Sequence, residues 1–171
     1  TVEYVHPLHN LAVVRYDPRQ LGATPVRAVK FAGRQPATGE TVHVVGLHPD
    51  NRVVSQQATV ASIGPVAFPL SRTLQFRDAN LEIMRLVNGP DDYDGLIVDR
   101  RGEVLALWSS FAYENGRDLV QQNLGVPAGI VQEMLEYARD GRPLYSAEAE
   151  FGLLSLAEAR RLGLGAEWIE R

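Results

Sequence analysis

Hydrophobic and polar residues alternate in short runs through the first three-fifths of the chain, the period-two signature of strands with one buried face. Val2-Glu3-Tyr4-Val5 and Leu11-Ala12-Val13-Val14-Arg15-Tyr16 are the first β-prone runs. His6-Pro7-Leu8-His9-Asn10 separates them, and Pro7 suits a turn or strand end. Pro18, Gly22 and Pro25 mark a loop, Val26 to Phe31 reads as another extended piece, and the turn-rich stretch Gly33 to Gly39 joins two subdomains. From Thr41 the pattern sharpens. Thr41 to Gly46 is a strand, Val53 to Ile63 a long and bent β-prone run, and Thr73 to Phe76 and Leu81 to Val87 continue the series. Leu96-Ile97-Val98-Asp99 and Glu103 to Trp108 flank Arg100-Arg101-Gly102, which predicts a hairpin with glycine in its turn. Many short strands at near-regular spacing predict an all-β barrel or sandwich.

After Gly116 the period changes. Pro127 stands where a first helical turn begins, Ile130, Val131, Met134, Leu135 and Ala138 recur at helical spacing, and Gly141 ends the run. Ser155-Leu156-Ala157-Glu158 spells a capping box for a second short helix that stops at Gly163.

Composition narrows the class. With 171 residues, 45% of them hydrophobic and 22% charged, the chain can bury a sizeable core, which excludes intrinsic disorder. A net charge of -4, with scattered arginines as nearly all of the 17 basic residues, lacks the basic footprint of a nucleic-acid binder. The absence of cysteine excludes disulfides, thiol catalysis and thiolate metal sites. No apolar run approaches the ~20 residues of a membrane span, and no signal peptide opens the chain.

Candidate chemistry is sparse. The four histidines, His6, His9, His43 and His48, show no metal-ligand spacing and read as surface or half-buried. Asp91-Asp92-Tyr93-Asp94-Gly95 is the densest carboxylate cluster; it lacks the remaining ligand positions of a calcium loop and reads as a solvated acidic turn. Gly163-Leu164-Gly165 follows a helix and is a helix stop, not a phosphate loop. Ser109 and Ser110 read as loop serines after a strand, and Trp108, Phe111 and Tyr113 as core aromatics. No cofactor or metal site is expected.

The order of segments resembles the HtrA/Deg-type trypsin-like serine proteases. His9-Asn10-Leu11-Ala12-Val13-Val14 looks like the segment Asp-Leu-Ala-Val-Leu that carries the family's catalytic Asp. Gly39 to Gly46 looks like the strand opening the second barrel, Val60 to Ile63 like Gly-Ile-Val-Ser, and Arg77 to Leu81 like Thr-Asp-Ala-Ala-Ile. Gly95 to Val104 is similar to Gly-Pro-Leu-Val-Asp-x-x-Gly-x-Val, and Gly125-Val126-Pro127 to the segment before the closing helix. Ala157 to Leu164 is similar to the start of a PDZ domain.

The resemblance implies a mainly β fold: the second trypsin-like barrel, the last strands of the first, a C-terminal helix and a partial PDZ-like segment. The implied boundaries are 1–33 for the remnant of the first barrel and 34–115 for the second. The closing helix region takes 116–143 and the start of a PDZ-like domain 144–171. It also implies a chain cut at both ends from a longer protein, whose exposed strand edges between Val2 and Tyr16 fold onto the barrel or pair between molecules.

The departures from the pattern decide the expected function. Tyr93 stands where the nucleophilic Ser of Gly-Asn-Ser-Gly-Gly-Pro would be, and a phenol with a pKa near 10 is not activated by imidazole as a serine hydroxyl is. Asp91, Asp92 and Asp94 place negative charge where an oxyanion would develop. Asn10 stands where the triad Asp would be, a change that costs about 10⁴-fold in the protease template. The catalytic His would lie upstream of Asn10, and His6 and His9 are in the wrong segment. The pattern resembles the degenerate second protease-like domain of tandem HtrA-like proteins of bacteria and fungi.

The leading expectation is therefore an inactive protease-like domain with a structural, regulatory or assembly role. Its partners would be other domains of its parent protein or copies of itself. One alternative is a serine endopeptidase, through the parent protein or through Ser109 or Ser110 with a histidine in reach. Another is a peptide-binding module for peptide or unfolded protein. The family suggests a bacterial periplasm or cell envelope.

Overall fold

The computed structural model of the chain describes residues 1–7, 9, 11–66, 81–115, 117–145 and 154–169. Strands β1 (Val2–Val5) and β2 (Ala12–Val14) pair antiparallel as a separate two-stranded sheet. A 3₁₀ turn, Pro18–Leu21, follows, capped by the Asp17 carboxylate accepting from the Arg19 amide. The remaining strands are β3 (Thr41–Leu47), β4 (Val53–Val66), β5 (Leu81–Val87), β6 (Gly95–Val98), β7 (Val104–Asn115) and β8 (Asp118–Pro127). These six close into an antiparallel barrel in the order β3-β4-β5-β8-β7-β6.

Alternation builds the barrel interior. Val42 and Val44 of β3, Ala58 and Val60 of β4, Met84 of β5, Ile97 of β6, and Ala106 and Trp108 of β7 are buried in one cluster. Ile83 and Leu124 form a second cluster with Val66 and Phe111 packed on it. The bend expected in the long run from Val53 is real: the register of β4 against β5 shifts between Val60 and Ser62. The hairpin around Gly102 forms as expected, with Gly102 at φ 76° in the turn between β6 and β7. Its turn is held by the Asp99 carboxylate, which accepts from the Arg101 and Glu103 amides at 2.8 and 3.0 Å. Preceding β3, Phe31 makes a parallel bridge to Val104, and Lys30 is ion-paired with Glu103.

Helix α1 (Ala128–Asp140) continues from β8 and packs on β7 and β8 through Ala128, Val131 and Met134. It ends at Gly141 in the left-handed region, as expected. Leu135, expected on the buried face, is exposed. Two short helices complete the described chain, α2 (Leu156–Arg161) and α3 (Ala166–Ile169). Ser155 caps α2 as predicted, its hydroxyl accepting from the Glu158 amide at 3.2 Å. The reciprocal half of the box is replaced: the Glu158 carboxylate takes a 3.2 Å bond from Arg161.

Three sequence expectations need correction. Residues 118–127 form a barrel strand, although no strand was expected after Gly116. Ser109 and Ser110 lie inside β7 rather than in a loop, because β8 pairs with β7 through Asn115. His6 is buried, rather than at the surface or half-buried. The strand expected at Thr73 to Phe76 lies outside the described residues, as do Asn10 and Arg77 to Asn80. Among the described residues, no helix is long and apolar enough to cross a membrane.

Candidate functional site

The loop 91–94 enters β6 from a position pressed onto β3. Gly46 and Gly95 are register partners, and a β-carbon on Gly46 would lie 2.2 Å from the Asp94 carbonyl oxygen. This close approach seats the Tyr93 ring in the barrel core. Its hydroxyl donates to the Val44 carbonyl at 3.2 Å, and burial, with Asp92 beside it, pushes the phenol pKa up. The loop is held from two further sides. Trp108 Nε1 donates to the Pro90 carbonyl at 3.0 Å, and the Asn123 side-chain amide donates to the Tyr93 carbonyl at 3.5 Å. Tyr93 is thus a neutral donor turned inward.

The carboxylates of the loop face outward. Asp91, Asp92 and Asp94 are exposed, as expected of a solvated acidic turn. His48, just after β3, stands between two carboxylates, with Nδ1 3.0 Å from Asp50 and Nε2 3.5 Å from Asp92. Arg52 also pairs with Asp50 and, more than His48 does, holds its carboxyl below the usual range. Among the described residues, no three His, Asp or Glu side chains converge as metal ligands would.

A cleft of about 280 Å³ opens beside the loop, lined by His9 and Leu11, by Asp94 and Gly95, and by Trp108 to Phe111 of β7. It brings His9 near the two serines, a grouping that no sequence spacing signalled. His9 is not set up as their base. Its Nε2 accepts from the Glu82 amide at 3.4 Å, and its buried Nδ1 has no hydrogen-bond partner. Burial, with His6 adjacent, lowers the His9 pKa to about 4. A general base must reach the proton it takes and titrate near the working pH, and His9 does neither here. Along the cleft, β6 pairs with β7 only as far as Trp108.

A closed six-strand barrel, a helix leaving its last strand, and a cleft between barrel and N-terminal hairpin define a trypsin-like β-barrel domain. The comparisons agree. The Rv3671c protease of M. tuberculosis in its active form superposes with a TM-score of 0.55 at 18% identity, covering 88% of this chain and 62% of that one. No protein-family model matches the chain. In sequence, 99% of the chain aligns at 32% identity with the PDZ domain-containing protein C23G3.12c of Schizosaccharomyces pombe. All of it aligns at 30% with the pro-apoptotic serine protease NMA111 of Saccharomyces cerevisiae. The chain is a homologue of HtrA-like serine proteases, and it spans 18% of the length of these two curated relatives.

Proposed function

We propose that this domain is a catalytically inactive, protease-like barrel that serves a structural, regulatory or assembly role within a larger serine protease of the HtrA type. One observation carries the reading. Tyr93, which the resemblance sets at the nucleophile position, is buried under β3 with its hydroxyl committed to the Val44 carbonyl. A nucleophile must instead stand in the cleft beside a base. The acidic residues around Tyr93 support the same reading, since they oppose a developing oxyanion. The parent protein's proteolysis belongs to this proposal too, through relatives named as serine proteases. So do the boundaries 1–33, 34–115, 116–143 and 144–171.

The test is labelling of the 171-residue chain with a fluorophosphonate probe, beside hydrolysis of unfolded casein. Neither reaction is expected. Stoichiometric labelling of one serine, Ser109 or Ser110 in particular, would overturn the reading.

A second reading has its own observation, the cleft lined by Leu11, Trp108 and Phe111 between the N-terminal hairpin and β7. An extended peptide can lie there. Titration of an extended peptide library, read by Trp108 fluorescence, would support this reading with dissociation constants well below millimolar. Silence throughout would remove it.

A further inference from the structure

The loop between β1 and β2 carries two histidines that both act as hydrogen-bond acceptors, and His9 reaches the barrel. His6 Nδ1 accepts from the His9 amide at 3.1 Å. His9 Nε2 accepts from the Glu82 amide of β5 at 3.4 Å. An imidazole nitrogen that accepts carries no proton, so these bonds fix both rings as neutral. The tautomers follow: His6 carries its proton on Nε2 and His9 on Nδ1. The rings touch edge to face, with centroids 4.6 Å apart, so a charge on one lies against the other. The His9 Nδ1 atom is buried without a partner, so no acceptor stands ready to stabilise a cation there.

We infer that His6 and His9 form an acid-sensitive latch, which holds the hairpin β1–β2 on the barrel while both rings are neutral and releases it when either is protonated. Protonation puts an N–H where each ring now accepts, so donor meets donor at the His9 or the Glu82 amide. The groups around the pair do not cancel this. Glu133 of α1 favours the charged form of His6, and burial of His6 outweighs it. Glu82 takes a bond from Gln35, and exposed Asp94 lines the cleft with His9. Beyond the latch, the hairpin is tied at Tyr4, whose hydroxyl donates to the Arg142 carbonyl at 3.1 Å.

The sign follows from linkage. Both histidines have folded pKa values below the free value, so the released hairpin binds more protons than the docked one. Docking is fully stabilised above about pH 6.5 and weakens as pH falls, by at most about tenfold per pH unit for each histidine. For His9 the loss runs down to its folded pKa of about 4. Two short strands do not hold together alone in water, so release removes their amide protection as well.

Hydrogen exchange on the 171-residue chain tests this, corrected for intrinsic rates, at steps from pH 7 to 4.5. The His6, His9 and Glu82 amides are expected to lose at least tenfold in protection, while the Val44 and Ile97 amides keep theirs. Histidine titration by NMR is expected to place both rings below 6.5. His9→Asn, which keeps an acceptor that does not titrate in this range, should flatten the acid loss at Glu82. If that variant does not fold, the titration of the wild-type rings decides alone. Three results overturn the latch: ordinary pKa values for both rings, hairpin protection that is flat or absent across the range, or loss of barrel protection in step with the hairpin.

Discussion

Gly46 of β3 and Gly95 of β6 lie opposite each other, and neither position has room for a methyl group. A β-carbon at Gly95 would stand 2.1 Å from the Val45 carbonyl oxygen, and one at Gly46 would also meet the Tyr93 ring at 2.5 Å. The nearest obstacles are backbone atoms, which cannot swing aside as a side-chain tip can.

Gly46→Ala or Gly95→Ala is therefore expected to destabilise the barrel by about 3 kcal/mol, the upper end of what overpacking a core costs. Urea unfolding checks this through a lowered midpoint with an unchanged slope. A midpoint within error of wild type would mean that the 91–94 loop yields easily and that Tyr93 is not clamped.

Tyr93 itself gives a graded pair. Tyr93→Phe removes the donor and leaves the Val44 carbonyl without that bond, costing about 1–3 kcal/mol. Tyr93→Ser empties the ring's place in the core and costs about 3–5 kcal/mol, by analogy with other aromatic truncations. The serine so placed is not expected to hydrolyse casein. Measured stabilities should rank wild type above Phe above Ser.

Asp99 predicts a pH effect. Chiefly the Glu103 amide, then the Arg101 amide and the nearby Arg34, lower its carboxyl pKa. The unfolded chain then binds the proton more readily, so this contribution is present above about pH 4 and is lost as pH falls through the folded pKa. Asp99→Asn should be less stable than wild type at pH 7, with the gap narrowing below pH 4. Thermal unfolding at pH 7, 4 and 3 reads the difference.

Ser155→Ala removes the side-chain acceptor of the first turn of α2, worth about 1 kcal/mol of local stability. The Glu158 amide should exchange about fivefold faster, with barrel amides unaffected.

How far the sequence reaches is visible in these same residues. The strands β3 to β6 and the start of β7 were legible as short β-prone runs, with Val42 and Val44 of β3 buried between half-buried neighbours. Strand β8 was not, because Asp118 to Asn123 is largely polar and Leu119 is exposed, so burial begins only at Leu124. Tyr93 was legible only as the residue that the resemblance sets against a nucleophilic serine. Its inward turn was not, since that depends on Gly46 approaching from 47 residues away in the chain. The burial of His6 and the meeting of His9 with Ser109 were likewise invisible, because they arise only when the N-terminal hairpin reaches the barrel. No spacing along the chain encodes that distance.

The barrel's seam has a mechanical meaning. Strands β7 and β8 share ten register pairs, whereas β5 meets β8 through the single pair Met84 and Gly125 among the described residues. The ring is thus two three-strand meanders, β3-β4-β5 and β6-β7-β8, joined by the four pairs of β3 with β6 and by a narrower clasp of β5 on β8. Under pulling force, or in the rare openings that precede global unfolding, the clasp should part first. The last event of folding should be its closing, after the local hairpins have formed.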